Sequence, residues 1–176
     1  FIVHHIEELS LAKKILDPCL GGGNFLVECL EFLCAGCTEV DVENTVISQA
    51  KKLYGYDIDD IIAKIAVVNI RIKALSIIRE KDVTVGSLAK DNRIVCNILS
   101  GDIVEHDKAL GNAKVIVTNP PFASIKGMSK EQKNFLKMNY PLANCDTCVA
   151  FMEAIGNLLC ADGVCGIVSQ NAWMYL

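Results

Sequence analysis

The segment Asn119-Pro120-Pro121-Phe122 carries the most specific chemistry in this sequence. Two consecutive prolines remove two backbone donors and hold a stiff, extended stretch, so the segment is poorly suited to simply turning the chain. It offers acceptors and a ring. The Asn119 side-chain oxygen and the Pro120 carbonyl can accept both hydrogens of a planar NH2 group, while Phe122 can stack on the heteroaromatic ring that bears it. An amine of that kind is a weak nucleophile because its lone pair is delocalised. Two acceptors holding its hydrogens favour a pyramidal nitrogen whose lone pair points at an incoming carbon.

Three acidic groups precede that segment. Asp17-Pro18-Cys19-Leu20-Gly21-Gly22-Gly23-Asn24-Phe25 has glycines that let a backbone approach a ligand closely, but it is not GxGxxG and has no phosphate-loop lysine. An acid ahead of the glycines suits a cationic ligand, such as the amino group of a methionine moiety, better than a phosphate. Asp57 follows the strand-like run Leu53 to Tyr56, where a carboxylate in an open α/β sheet accepts from both hydroxyls of a ribose. Asp102 follows Ile94 to Leu99 and is within reach of an adenine amino group. Alone, the glycine loop reads as a tight turn about half the time, and Asp57 and Asp102 each read more often as a turn former or helix cap. Together, in order, they are harder to dismiss.

These groups need elements to position them. Val3 to Ala12 reads as a short helix and Lys14 to Leu16 as a strand; Phe25, Leu26, Cys29, Leu30 and Leu33 then share one helical face. After the second strand, Ile58, Ile61, Ile62, Ile65, Val68, Ile72 and Leu75 make a long helical stripe with Asp59 and Asp60 in its first turn. The third and fourth strands are Ile94 to Leu99 and Lys114 to Thr118. Ser129 with Gln132 forms a capping box opening a helix over Lys130 to Met138. A further helix runs from Asp146 or Thr147 to Leu159, and an Ala161-Asp162-Gly163 turn leads to a fifth strand, Val164 to Val168. Alternating strands and helices predict a doubly wound parallel α/β sheet. Asp17, Asp57, Asp102 and Asn119 then stand along its carboxyl edge, where such sheets bind ligands.

Composition narrows the classes. The chain has 176 residues, a net charge of -4, 52% apolar residues and a mean hydropathy of +0.34, which fits one domain with a sizeable core and excludes a disordered tail. Its longest apolar runs are far short of the roughly 20 residues that span a bilayer. A start at Phe1 without Met is expected of a fragment. Nine cysteines include the pairs Cys34/Cys37 and Cys145/Cys148. Their odd number and apolar neighbours suggest reduced cytosolic thiols used as small hydrophobes, and the two pairs are expected too far apart to share a zinc ion. His4 and His5, adjacent on a helix, point apart and are given no metal role.

Taken together, the motifs resemble the S-adenosylmethionine-dependent N6-adenine DNA methyltransferases, over nearly the whole chain. Downstream, Lys137-Met138-Asn139-Tyr140, Phe151-Met152-Glu153 and Asp162-Gly163 through Ser169-Gln170-Asn171-Ala172-Trp173 look like the methylases of type IIG restriction-modification and BREX phage-defence systems. The resemblance implies a Rossmann-like fold, incomplete at both ends, with residues 1–176 as the catalytic domain and target recognition lying beyond residue 176. It implies S-adenosylmethionine held by Asp17, Pro18, Cys19, Gly21, Gly23, Phe25, Asp57, Ile58, Asp102 and Ile103, with Asn119, Pro120, Pro121 and Phe122 catalytic and no metal. The implied reaction is direct methyl transfer to an adenine flipped out of double-stranded DNA, in the cytoplasm, with restriction or defence-system subunits as partners. The loop departs from the usual DPxCGSG: Cys19 and Leu20 take the positions of x and Cys, and Gly22 replaces Ser.

Lys126, Lys130, Lys133 and Lys137 face only Glu131 between Phe122 and Tyr140, and Lys126 and Lys130 are expected on the DNA phosphates, on a segment with few apolar anchors. Trp173 either walls the base pocket or is buried against the sheet, the latter expected more often. Two rivals remain. Related enzymes with NPP-Y/F methylate amides or base amines in protein or RNA, and a SAM-fold module without activity would serve assembly only.

Overall fold

The computed structural model describes residues 2–81, 93–100, 111–122, 125–142 and 147–169. Asp102, Ile103, Cys145 and Trp173 lie outside the described residues. Five parallel strands, β1 (Ile15–Asp17), β2 (Leu53–Asp57), β3 (Asn97–Ser100), β4 (Ala113–Thr118) and β5 (Leu159–Ile167), pair in the order β3-β2-β1-β4-β5. The chain leaves β1 toward one edge and returns at β4 toward the other, which makes the β1/β4 boundary the topological switch point.

Side chains alternate across the sheet and so divide its core. Ile15, Leu53, Val115 and Val117 face α1 (Asn24–Cys34), α2 (Val42–Ala50) and α3 (Asp60–Arg79). Leu16, Tyr56 and Ile116 face the opposite way, toward Ile155 and Leu158 of α5 (Thr147–Leu158). The helix α4 (Lys130–Asn139) packs on α5 through Leu136 and Tyr140 against Ala150 and Ala154. Its capping box is present: Ser129 N donates to Gln132 Oε1 at 3.0 Å and Gln132 N to Ser129 Oγ at 3.2 Å.

Three expectations are corrected. Val3 to Ala12 is two short 3-10 helices, Val3–His5 and Glu7–Leu11, separated by Ile6 in an extended conformation. In α3 the helix is as expected, with Asp59 capping Ile61 N and Ile62 N, but the large-aliphatic stripe is not its buried face. Ala63, Ala66, Ile70, Ala74, Ile77 and Ile78 are buried, whereas Ile61 is 68% and Ile72 60% exposed. Small residues permit the close approach of α3 to α1: a Cβ on Gly23 would lie 3.0 Å from Ala66 Cβ. Finally, Ala161-Asp162-Gly163 does not precede the fifth strand but lies within it. Between the pairs Ala113↔Leu159 and Val115↔Val164 the ladder shifts register, so the turn is a bulge.

Candidate active site

The glycine loop and the Asn-Pro-Pro segment leave the sheet on either side of the switch point, from β1 and β4. Asp17, at the end of β1, is fully buried; its Oδ1 accepts from Cys19 N at 3.1 Å. Burial pushes its carboxyl up to about 7, opposed by the Cys19 amide and the nearby Thr118 hydroxyl and reinforced by the charge of Asp57. Thr118 is near but not bonded: neither Asp17 Oδ2 nor Thr118 Oγ1 has a hydrogen-bond partner. Burial also pushes the Cys19 thiol up to about 12, so it is a neutral apolar-like wall at ordinary pH.

Asp57 ties the loop to β2. Its Oδ2 accepts from Gly21 N and its Oδ1 from Asp59 N, both at 2.9 Å. A carboxylate oxygen has two lone pairs, so each can still accept a ligand hydroxyl. Gly21 adopts φ +50° with open space where a Cβ would stand, leaving its backbone bare. Gly22 O accepts from Asn69 Nδ2 at 2.9 Å, which anchors the loop to α3.

A cavity of about 940 Å³ opens here. Pro18, Cys19, Gly21, Asp57 and Ile58 line it together with Asn119 and Pro121, so the structure gathers seven of the fourteen expected cofactor and catalytic residues in one space. Ile58 is 79% exposed. Other expected residues stand apart. Gly23 is at the α1–α3 contact, and Phe25 lines a second, smaller cavity with Ile2, Val3 and Glu28. Pro120 is buried, and Phe122, though partly exposed, is not on the main cavity's wall.

The remaining wall was not foreseen. Met128, Gln132, Phe135, Leu136 and Tyr140, in or beside α4, face Thr147 and Phe151 of α5 in the same lining, and Phe135 meets Tyr140 edge-on at 6.5 Å. In the lysine-bearing segment no residue of α4 is buried and Phe135 and Met138 are exposed; its apolar anchors are few, Tyr140 just past the helix and partly buried Leu136, both against Ala150 and Ala154. Lys126 and Lys130 are exposed, while Lys133 Nζ reaches Lys126 O at 3.4 Å. Of the cysteine pairs, Cys34 and Cys37 are buried at the far end of α1 and Cys148 in the first turn of α5. Among the described residues, no group of three or more His, Cys, Asp or Glu is arranged for a metal. His4 instead packs edge-on against Phe32 at 5.3 Å.

Residues 51–176, well over half the chain, match the Eco57I restriction-modification methylase family. The chain belongs to that family. This Eco57I-family chain is 28% identical over 158 residues to the Type II methyltransferase M.VspI of Vibrio sp. (strain 343), covering 89% of this chain and 31% of that protein. It is 32% identical over 76 residues to the adenine-specific methyltransferase PglX of Lacticaseibacillus casei (strain Zhang), covering 43% of this chain and 6% of PglX. It thus spans less than a third of the length of either relative. Among solved structures, the DrdV–DNA complex superposes with a TM-score of 0.60 at 18% identity, covering 97% of this chain and 18% of that one. At that identity the likeness is one of fold, the parallel α/β sheet of the Rossmann-like class.

Proposed function

We propose that residues 1–176 form the catalytic domain of an S-adenosylmethionine-dependent methyltransferase acting on N6 of adenine in DNA, within a restriction-modification or phage-defence system. The observation that carries this reading is the one cavity lined by both the Asp57–Gly21 corner and Asn119-Pro120-Pro121 by way of Asn119 and Pro121. The walls suit the cofactor. Asp57 offers acceptors and Gly21 bare backbone, Ile58 and Phe151 offer apolar surface for a heteroaromatic ring, and buried Asp17 Oδ2 and Thr118 Oγ1 lack partners beneath the loop. When bound, S-adenosylmethionine supplies an electrophilic methyl group.

The chain's own residues orient the acceptor. Asn119 Oδ1 and the Pro120 carbonyl take the two hydrogens of the adenine amine, which holds its lone pair toward the methyl donor. Phe122 offers a ring to stack on the base. M.VspI is named a Type II methyltransferase and PglX an adenine-specific methyltransferase, and DrdV was solved with DNA, which supports DNA as the partner; the adenine flipped out of double-stranded DNA is part of the proposal. Asp102 and Ile103 complete the proposed cofactor site, and Gly23 and Phe25 support it from behind the loop. Lys126 and Lys130 are the proposed phosphate contacts. Such an enzyme works in the cytoplasm alongside DNA; among the described residues no helix is long and apolar enough to cross a membrane.

Mass spectrometry of nucleosides from DNA incubated with the intact protein and cofactor tests the reading: N6-methyladenine should form. Asn119→Ala should lower the rate about 10²- to 10³-fold, as when one positioned polar group is lost from a transition state, with cofactor affinity unchanged. Methylation of protein amides or RNA, with none on DNA, would overturn the acceptor assignment.

A further inference from the structure

We propose that Thr147 is a positioning residue that fixes ψ of Pro121, the torsion that joins the proline pair to Phe122. Its hydroxyl lies 2.8 Å from the Pro121 carbonyl oxygen. A carbonyl only accepts, so the hydroxyl donates. The pyrrolidine rings already fix φ at Pro120 and Pro121. A following proline confines Asn119 and Pro120 to extended conformations and so restricts ψ at both. Within the proline pair, ψ of Pro121 is left free, and it swings the rigid Pro121–Phe122 peptide plane from which the Phe122 ring departs. A donor on the oxygen of that plane holds it.

The donor is well mounted. Thr147 is the first residue of α5, whose Ala150 and Ala154 pack on Tyr140 and whose Ile155 and Leu158 pack on Leu16 and Ile116 of the sheet. The bond therefore ties the free end of the segment to a helix resting on the strands, 26 residues away in sequence. Capping would use a lone pair of the threonine oxygen and leaves the hydroxyl hydrogen for Pro121, so the bond to the segment is compatible with either role at the helix start. Thr147 lines the cavity beside Asn119 and Pro121, so the torsion it holds borders the acceptor site. The effect on turnover rests on the proposed methyl transfer; the pinning of the peptide does not.

The test compares wild type, Thr147→Val and Thr147→Ser in the intact protein by 15N relaxation of the Phe122 amide and by steady-state methylation. Thr147→Val should lower the Phe122 order parameter and reduce kcat about five- to tenfold, the factor expected for one lost hydrogen bond. Cofactor affinity should stay as in wild type, and Thr147→Ser should restore both readouts. Thr147→Ala replaces the valine variant if that one fails to fold. Unchanged order at Phe122, a serine variant as defective as the valine one, or a loosened Phe122 with full turnover would each overturn the proposal. If Phe122 loosens as expected while wild type methylates no adenine, the pinning stands and the proposed function falls.

Discussion

The two faces of the sheet are built to different standards. On the α1–α3 face, 22 buried residues form one continuous core among the described residues; on the α5 face the buried clusters hold six and three. The first face brings helices so close that a Cβ on Gly23 would stand 3.0 Å from that of Ala66. The second leaves a space of about 940 Å³ beneath α4. Stability and chemistry are thereby separated: one face is a packed floor, and the other is held apart so that ligands can enter between its helices and the strand ends.

Truncations of the two cores should differ most. Leu30→Ala, fully buried in α1, should cost toward the top of about 2–5 kcal/mol, because it lies within the larger, continuous core. Ile155→Ala in α5 is expected nearer the lower end of about 2–5 kcal/mol, since fewer buried partners surround it. Urea unfolding measures both; equal losses would mean that the α5 face is as tightly packed as the other.

Asp17 sits where the loop leaves the strands and links stability to pH. Its carboxyl is raised by burial to about 7, from the usual 3.8. Between those values the folded chain keeps a proton that the unfolded chain has released. Stability from this group is therefore full below about pH 4 and declines as pH rises to 7. Asp17→Asn keeps the shape without the ionisation, so melting temperature should fall less from pH 5 to pH 8 in the variant than in wild type. Parallel profiles would show that the carboxyl is not held neutral.

A smaller contrast lies within the loop. Gly23→Ala meets both φ +79° and Ala66, and should cost about 1–3 kcal/mol. Gly21→Ala meets φ +50° but open space, so only the backbone penalty of about 1 kcal/mol applies. Its methyl would stand at the cavity, so cofactor binding rather than melting should report the second change. If both variants melt alike, the close contact of α1 with α3 is not what fixes Gly23.

Much of this architecture is legible in the sequence because strand ends carry chemistry that strand interiors exclude: Asp17, Asp57 and Asn119 mark three carboxyl ends, and Ser129 with Gln132 marks a helix start. The face of α3 is not legible from size alone. Periodicity finds Ile61, Ile65, Val68 and Ile72, but close packing on α1 selects the alanines between them, a choice made by the partner surface. The Thr147–Pro121 bond is hidden for a similar reason, since a threonine at a helix start looks like a cap until its acceptor, 26 residues earlier, comes into view. The bulge in β5 likewise depends on its register with β4, which no local pattern encodes.

The smallest expected effect concerns the lysines that the thin face carries. Lys126 and Lys130 are exposed beside the α4 wall of the cavity, whereas Lys133 turns back to the Lys126 carbonyl. If the first two meet phosphates flanking the flipped base, each neutralised phosphate releases counterions, and log K should fall with log salt by about 0.9 per contact. The double variant Lys126→Ala with Lys130→Ala should then weaken DNA binding at all sequences alike and flatten the salt slope by about 2, leaving cofactor affinity unchanged. Lys114 is the control: at the amino end of β4, on the opposite edge of the sheet, it is paired with Asp162 at 2.9 Å. Lys114→Ala should leave the slope where it was. A double variant with the wild-type slope, or a Lys114 variant that flattens it equally, would mean that the lysines beside the cavity only face water and that DNA approaches from elsewhere.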